Sequence, residues 1–382
     1  MAAPVIYLDH QATTPCDPEV VHAMAPWWSE QFGNPASRGH RPGLLAAAAV
    51  EQARARIAAG LGMPAEAVVF TSGATEANNL ALKGLAEAEL QAGGRRRHLI
   101  TLASEHRAVL DPLRYLGRHG FELTELPVQP DGLVDLDRLE GALRPDTLLV
   151  SVMAANNEIG VLQPLEAIVR LCQEWGIRVH CDAAQAVGHV PLLPAELGLD
   201  LLSLSAHKLY GPKGIGALVV KPGLRLAPQQ HGGGQEGGLR AGSLPVPLIV
   251  GLAKALELAL ADREARQRRL GALRDQLWQR LEALGGVHRN GAAAPRLAHN
   301  LNVWFEGVDG NRLQRSLRPF LAVSGGSACS SGEPSHVLQA LGLKREQAAA
   351  ALRFGLGRGT SAAEIEAAAD VIEAALHDLR RT

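Results

Sequence analysis

One lysine in this sequence directly follows an apolar strand pattern, which is an unusual place for a charged amine. Residues 201–204 are almost entirely apolar, and Ser205, His207 and Lys208 come after them, before a glycine-rich turn. Burial lowers the pKa of a lysine, and the neutral amine can form a Schiff base with an aldehyde. The chain has six lysines and thirty-two arginines, yet a lysine stands here. Taken alone, Lys208 is more simply interpreted as a lysine in a surface loop.

Four other apolar strand patterns end in polar side chains in the same way. Apolar strands between helical segments predict a mostly parallel sheet with helices on both faces. In such sheets ligands bind at the carboxyl ends of the strands, so five polar strand ends predict a functional site. The other four are residues 68–70 followed by Ala74 and Thr75, residues 99–102 followed by His106, residues 148–153 followed by Asn157, and residues 178–181 followed by Asp182 and Gln185.

The chemistry of these strand ends suggests a phosphorylated aldehyde. TSGATEANN joins a strand to a helix. The backbone N–H groups at the start of that helix, together with the hydroxyl of Thr75, would bind an anion. A phosphate there and the amine of Lys208 suggest pyridoxal phosphate (PLP), and Asp182 could keep its ring nitrogen protonated. His106 could stack on the ring or move a proton. The simpler alternatives are a tight turn, a helix N-cap at Asp182 and a polar loop histidine.

A cysteine and an arginine near the carboxyl terminus complete the candidate chemistry. Cys329 lies among small residues in SGGSACSSG, which is typical of an accessible loop with a reactive thiol. Cys172 and Cys181 lie in helical and strand patterns and are predicted to be structural, and Cys16 is undecided. Arg353 alternates with apolar neighbours and so faces away from them. It could bind a substrate carboxylate or form a surface ion pair.

The composition limits the class of protein. Apolar residues make up 47% of the 382 residues, charged residues make up 20%, and the net charge is −1. These values are typical of a soluble globular protein and argue against a nucleic-acid partner. The chain start does not resemble a signal peptide, and no apolar run of about 18 residues predicts a membrane span. The cysteine spacing indicates neither a metal site nor disulfides, so we expect a cytoplasmic protein.

The second half of the chain changes character and suggests a second domain. Residues 247–284 have the pattern of a long charged helix or helix pair, which would link two domains. Residues 299–305 and 350–358 then have strand patterns, and residues 362–379 have the pattern of a closing helix. We find no solenoid repeat. The sequence therefore predicts an α/β protein with a large sheet domain and a smaller α+β domain.

Taken together, these motifs resemble the cysteine desulfurases of the NifS/IscS type, within the class V aminotransferase family of fold-type I PLP enzymes. The similar segments cover nearly the whole chain in the same order. They are YLDHQATTP, FGNPASRGH, FTSGATEANNLALKG, SEHRAVL, NNEIGVLQP, HCDAAQAVG, SLSAHKLYGPKGIGAL, HGGGQE, SGGSACSSGEPSHVL and LRFGLGR. With this resemblance we predict a large PLP-binding domain over residues 16–262. Residues 1–15 and 263–382 would form the small domain that carries the cysteine loop.

The resemblance implies a homodimer that takes sulfur from L-cysteine, releases L-alanine and leaves a persulfide on the enzyme. Lys208 would form the Schiff base, and His106 would stack on the cofactor and shuttle a proton. Asn157 would contact the ring oxygen and the substrate side, and Arg353 would bind the substrate carboxylate. Cys329 would attack the substrate sulfur. This role is consistent with a cofactor whose imine and ring stabilise carbanions, because such carbanions allow the Cβ–S bond to be cleaved by a thiolate.

The resemblance also implies which residues hold the cofactor. Asp182 would pair with the pyridine nitrogen, and Gln185 would contact the ring oxygen. Ser243 would reach the phosphate of the cofactor in the neighbouring subunit. The residues that would hold the phosphate within one subunit are Ala74, Thr75, Ser205 and His207.

Three departures from the family pattern concern the sulfur acceptor and the site mouth. Ser243 replaces the usual threonine and keeps its hydroxyl, and Gly237 stands where an arginine is common. The loop after Cys329 is shorter than in long-loop members, which limits how far the thiol can reach. An acceptor protein is expected, either an iron–sulfur scaffold or a sulfurtransferase.

Other functions remain open at this point. Within the same fold, a selenocysteine lyase, another PLP-dependent lyase of small amino acids or an aminotransferase would use the same residues. GGGQEG, residues 232–237, fits a dinucleotide-binding motif, although no apolar strand pattern precedes it. A non-catalytic scaffold that retains the fold is the third alternative.

Overall fold

Strands and helices alternate through the large part of the chain, as the sequence predicts. The structure is a computed structural model that describes residues 5–325 and 334–381. Its strands are β1 (Ile6–Tyr7), β2 (Val68–Thr71), β3 (His98–Leu102), β4 (Glu122–Leu126), β5 (Thr147–Ser151), β6 (Arg178–Asp182), β7 (Leu201–Ser205), β8 (Gly216–Val220), β9 (Val287–Arg289), β10 (Asn300–Phe305), β11 (Leu321–Ala322) and β12 (Ala351–Gly355).

The helices connect these strands and cover the sheet. Short 3-10 turns lie at Ala65–Ala67, Ala206–Lys208 and Gln235–Gly238. The α-helices are α1 (Pro18–Met24), α2 (Pro26–Ser29), α3 (Arg41–Gly60), α4 (Ala74–Gln91), α5 (Arg107–Gly117), α6 (Leu136–Ala142), α7 (Leu165–Glu174), α8 (Pro194–Leu197), α9 (Val246–Ala261), α10 (Arg263–Glu282), α11 (Gly310–Leu317), α12 (His336–Ala340), α13 (Arg345–Ala349) and α14 (Ala362–Arg380).

The main sheet has seven strands in the order β2-β8-β7-β6-β5-β3-β4. The strands from β7 to β4 pair in parallel, whereas β8 is antiparallel to both of its neighbours. The prediction of a mostly parallel sheet is confirmed. The carboxyl ends of the six codirectional strands lie at one edge, and β8 begins at that same edge.

Alternate side chains of the sheet strands pack into two different cores. In β7, Leu202 and Leu204 lie in the core that contains α3, α7 and α9, whereas Leu201 faces the core formed with α4 and α5. The same alternation in β3 places Ile100 in the first core and Leu99 in the second. Because successive strand residues face opposite sides, a strand buried on both faces is apolar throughout. The sheet is therefore sandwiched by helices.

A separate hydrophobic core lies in the carboxyl-terminal part. Strands β9, β10 and β12 form an antiparallel sheet, and α10, α11 and α14 pack on it through residues such as Leu277, Leu313 and Ile372. The predicted helix pair is α9 and α10, which meet at Asp262. Helix α9 packs in the large core and α10 in the smaller one. The division into two domains at residue 262 stays a prediction.

Two findings on the described residues concern membrane-spanning helices and metal-binding clusters. Within the described ranges, no helix has both the length and the apolar character needed to cross a membrane. In that same part of the chain, no three histidine, cysteine or acidic side chains are grouped in a way that could hold a metal ion.

Candidate active site

A cavity of about 480 Å³ lies at the carboxyl edge of the main sheet. It contains polar side chains from five strand ends, together with one arginine from the smaller sheet. Ten of the twelve residues predicted for the site line it, although they are distant in sequence. These are Ala74, Thr75, His106, Asn157, Asp182, Gln185, Ser205, His207, Lys208 and Arg353.

Lys208 lies in the 3-10 turn after β7, and its side chain points into the cavity. Its Nζ donates hydrogen bonds to the backbone oxygens of Gln11 at 2.5 Å and Ala12 at 2.8 Å. Gln185 Nε2 also donates to Gln11 O, at 3.0 Å. Residues 11–13 therefore line the cavity beside the lysine, and two of their carbonyls fix the position of the amine. The interpretation of Lys208 as an ordinary surface lysine is wrong.

Asp182 is the last residue of β6, and its carboxylate is buried. Its Oδ2 accepts a hydrogen bond from Asn78 Nδ2 at 2.8 Å, and its Oδ1 accepts one from the backbone N–H of Ala184 at 3.0 Å. Asn78 lies one turn into α4, so α4 and the sheet together orient the carboxylate. A fixed, buried carboxylate is suited to pair with a protonated nitrogen on a bound ring.

The turn before α4 brings backbone close to the cavity. Gly73 has a φ of 151°, which favours glycine, and α4 begins directly after it at Ala74. A Cβ at Gly216 would lie only 2.7 Å from the Cα of Gly73, so β8 also requires a glycine here. The first N–H groups of a helix have no acceptor within the helix. The first N–H groups of α4, together with the hydroxyls of Thr75 and Ser205, form a cradle for an anion.

His207 lies beside this cradle as a neutral side chain. Burial, with the nearby charges of Lys208 and Lys213, lowers its pKa to about 4. Its Nδ1 is 3.1 Å from the hydroxyl of Thr13. A neutral imidazole can hydrogen-bond to an anion without adding a charge next to the lysine amine.

These donor groups fit PLP. An anion cradle, a buried carboxylate and an amine at one cavity match the phosphate, the ring nitrogen and the aldehyde of that cofactor.

His106 caps the amino terminus of α5 and faces the same cavity. Its Nδ1 accepts a hydrogen bond from the backbone N–H of Ala108 at 3.0 Å, so the neutral ring carries its proton on Nε2. Burial lowers the pKa of His106, which favours the neutral form. The preceding Glu105 is fully buried, and its Oε1 accepts a hydrogen bond from Met153 N at 2.7 Å. The hydrogen bond from Ala108 therefore holds the ring, and the buried Glu105 anchors the chain directly before it.

Arg353 reaches the cavity from β12 of the smaller sheet and is only 1% exposed. Its Nη1 donates to Asn157 O at 2.9 Å, and its Nη2 contacts Asp9 Oδ1 at 2.8 Å and Ser324 Oγ at 3.0 Å. The prediction that Arg353 faces away from its apolar neighbours agrees with this placement. The alternative of a surface ion pair is wrong, because the pair with Asp9 is buried on the arginine side.

The comparisons with known proteins agree with this geometry. A family model described as Aminotransferase class-V matches residues 6–368. The chain belongs to this family. The cysteine desulfurase IscS of Dechloromonas aromatica is 48% identical over 379 residues, which cover 98% of this chain and 93% of that protein. The NifS/IscS-type resemblance is confirmed.

Two solved structures place this class V aminotransferase among fold-type I enzymes. A NifS-like protein has a TM-score of 0.92 at 37% identity, and the match covers 98% of this chain and 100% of that chain. A structure described as SspA in complex with cysteine has a TM-score of 0.80 at 38% identity, covering 92% of this chain and 98% of that chain. The predicted fold class is confirmed.

The two remaining predicted site residues of this family member are Cys329 and Ser243. Cys329 lies outside the described residues, so its role stays a prediction. Ser243 lines a separate cavity of about 1080 Å³ together with Leu44 and Glu236. Its assigned role in the neighbouring subunit does not require it to face the cavity of its own chain. Cys172 and Cys181 are fully buried, in agreement with the structural role predicted for them.

Several site residues were missed in the sequence. No site role was predicted for the first polar segment, which contributes Asp9, Gln11, Ala12 and Thr13. The signal that could have found them is the run DHQATT, since so many polar residues are unusual immediately after an apolar β1. Asn78 could have been found from helical spacing, because it lies one turn after Ala74.

The dinucleotide-binding alternative is wrong. Residues 232–237 lead into the 3-10 turn Gln235–Gly238, and Glu236 in that turn has a φ of 49°. The segment between β8 and α9, all of it described, has neither the strand nor the helix that this motif requires.

Proposed function

We propose that this class V aminotransferase family member is a PLP-dependent cysteine desulfurase. It would convert L-cysteine to L-alanine and leave the sulfur as a persulfide on Cys329. The observation that carries the proposal is one cavity lined by the amine of Lys208, the carboxylate of Asp182, the anion cradle and Arg353. The 48% identity to a protein named cysteine desulfurase IscS supports the choice of reaction within the family.

Three groups of this chain would hold the cofactor. The cradle before α4 would bind the phosphate, Asp182 would pair with the ring nitrogen, and Lys208 would bind the aldehyde covalently. When bound, PLP supplies an aldehyde that takes up the substrate amine and a ring that withdraws electrons from the substrate carbon.

Proton movement would depend on Lys208 and His106, which line the same cavity. His106 is neutral and carries its proton on Nε2, so it can donate that proton to a group in the cavity and take one back. The amine of Lys208 is a base once it is free of the cofactor. Its position is fixed by the carbonyls of Gln11 and Ala12, so it returns to the same place after each turnover.

The substrate would be oriented through its carboxylate. Arg353 is a fully buried cation, and hydrogen bonds to such a group are stronger than those to an exposed one. Asn157 lines the cavity next to it, and its backbone oxygen accepts from Arg353. Carboxylate binding at this end would fix the orientation of the substrate in the cavity.

The net reaction balances with one thiol of the enzyme. The thiolate of Cys329 forms a bond to the substrate sulfur, the Cβ–S bond breaks, and a proton returns to Cβ. L-cysteine and the enzyme thiol thus give L-alanine and an enzyme persulfide, with no external oxidant. A homodimer, a cytoplasmic location and an acceptor protein, either an iron–sulfur scaffold or a sulfurtransferase, belong to the same proposal.

The test of this function is the conversion of L-cysteine by the purified holoenzyme in the presence of a thiol reductant. We expect L-alanine and sulfide in equal amounts. Cys329→Ala should lose both products and keep the absorbance of the bound cofactor, whereas Cys16→Ala, the matched control, should keep activity. Lys208→Ala should lose the covalently bound cofactor.

Two results would contradict the proposal. Sulfide release that survives Cys329→Ala would show that another group takes the sulfur. A higher rate on L-selenocysteine than on L-cysteine, unaffected by Cys329→Ala, would favour the selenocysteine lyase alternative.

A further inference from the structure

The positive charge of Arg353 already has a carboxylate partner from the protein. Asp9 Oδ1 lies 2.8 Å from Arg353 Nη2, and the hydroxyl of Ser324 contacts both groups. Asp9 lies two residues before Gln11, which lines the cavity, and the side chain of Asp9 is 20% exposed. A substrate carboxylate that binds Arg353 must therefore share this cation with Asp9.

We propose that Asp9 sets the affinity of the site for carboxylates by partly neutralising Arg353. This inference rests on the proposed function, in which substrate and product carry the same carboxylate. L-alanine must leave after each turnover, and a fully uncompensated buried arginine would retain it. Asp9 thus weakens the binding of both amino acids through their shared carboxylate and permits product release.

The guanidinium has room for a second carboxylate without losing the first. Arg353 has five N–H donors, and the contacts to Asn157 O, Asp9 and Ser324 involve only its two Nη atoms. Its Nε is buried and has no hydrogen-bond partner in residues 5–325 or 334–381. In the same ranges the buried Oδ1 of Asn157 is also unpartnered. The binding of a ligand therefore need not displace Asp9.

The sign of the effect follows from the charges. With Asp9 ionised, a bound ligand carboxylate places two anions beside one cation, and the two anions repel each other. With a neutral side chain at position 9, a buried arginine lacks a counterion, and a ligand carboxylate would supply it. Asp9→Asn keeps a hydrogen-bond acceptor for Arg353 but removes the charge. If Asp9 only held Arg353 in position, the same substitution would weaken carboxylate binding.

The experiment measures the binding of propionate and propionamide to the holoenzyme by isothermal titration calorimetry. The two probes have the same shape but differ in charge, and neither has an amine that could react with the cofactor. For Asp9→Asn we expect the dissociation constant of propionate to fall about tenfold, because one repelling charge is removed. The constant for propionamide should change little.

A matched control uses the same substitution at another ion pair. Asp17 contacts Arg358 Nη1 at 3.1 Å, and neither residue lines the cavity. Asp17→Asn should therefore leave the affinities for both probes unchanged. A propionate constant that stays the same or rises in Asp9→Asn would overturn the inference.

The unmodified enzyme provides a second test in case Asp9→Asn does not fold. If Asp9 partly neutralises Arg353, the dissociation constant of propionamide should be less than about ten times that of propionate. A larger ratio of the two constants would contradict the inference. These measurements involve no sulfur chemistry. If L-cysteine gives no alanine while the propionate results hold, the proposed function fails and the role of Asp9 stands.

Discussion

His180 lies in the middle of β6 and links three strands of the main sheet through its ring. Its Nδ1 is 2.8 Å from Ser151 Oγ of β5, and its Nε2 is 3.0 Å from Ser203 Oγ of β7. The ring is fully buried, and burial lowers its pKa to about 4, although the charge of Asp182 acts in the opposite direction. His180 is therefore neutral in the folded protein at neutral pH.

This buried ring predicts a loss of stability in acid. An unfolded histidine takes up a proton below about pH 6.5, whereas folded His180 stays neutral until about pH 4. The unfolded state thus binds more protons in this window, and stability falls as the pH falls through it. In urea unfolding, we expect His180→Gln to reduce the difference in unfolding free energy between about pH 7.5 and pH 5 by about 1–2 kcal/mol.

The control for this prediction is His377→Gln, because His377 is exposed on α14. It should leave the difference between the two pH values unchanged. His189 also has a pKa lowered to about 4 by burial, so some acid sensitivity should remain in His180→Gln. If the difference in unfolding free energy between the two pH values is the same in His180→Gln as in the unmodified protein, this ring does not contribute to the acid sensitivity.

At the scale of the elements, the outer edge of β2 is closed by an ion pair instead of another strand. Arg54 Nη1 donates to Val68 O at 2.7 Å, and Glu236 Oε2 accepts from the N–H of Phe70 at 2.7 Å. The two side chains also pair with each other, at 2.8 Å. Together they satisfy the backbone groups that an edge strand would otherwise expose.

The contribution of the Arg54–Glu236 pair to stability can be compared with that of an exposed ion pair of the same arginine. Glu236 is 1% exposed, whereas Glu51, the other partner of Arg54, is 65% exposed. Glu236→Ala removes the buried carboxylate that pairs with Arg54 and leaves the Phe70 N–H without its acceptor, so we expect a loss of about 3 kcal/mol. Glu51→Ala should cost less than about 1 kcal/mol. Urea unfolding of both variants measures the contrast, and equal losses would contradict it.

The strand pattern was a good guide to the sheet, because each central strand is a short apolar run buried on both faces. The pattern did not predict β4, whose sequence ELTEL is half polar because it forms the outer edge. It also did not predict that β8 is antiparallel, since strand direction depends on the short turn at Gly211–Gly214, not on the apolar run itself. Pairing is a property of tertiary structure that one strand does not encode.

The candidate site was predictable to the extent that it lies at strand ends. Lys208, Asp182 and His106 each follow an apolar run, so topology alone brings them together. The contacts of Asp9 and Gln11 were not predictable, because they depend on how the first segment crosses the sheet edge. No local periodicity describes such a crossing.

At the scale of the whole molecule, the surface around Ser243 has the character of an interface. Leu44 lines the same cavity as Ser243 and is 53% exposed, and residues 34–36, which also line it, directly follow the segment that contains Phe32, a side chain that is 75% exposed. Large exposed apolar side chains that cluster mark surfaces that bind another protein. This supports the proposal of a homodimer in which Ser243 serves the site of the partner subunit.

Mixed dimers provide the test of this arrangement. Lys208→Ala subunits lack the amine, and Ser243→Ala subunits should bind PLP about tenfold or more weakly, because a hydrogen bond to a charged phosphate is lost. In a mixed dimer, the site with a native Lys208 would receive a native Ser243 only if that serine comes from the other chain. We therefore expect one site of full PLP affinity in the purified mixed dimer, measured by equilibrium dialysis. If Ser243 acts within its own chain, the site that retains Lys208 would keep the weak affinity of Ser243→Ala.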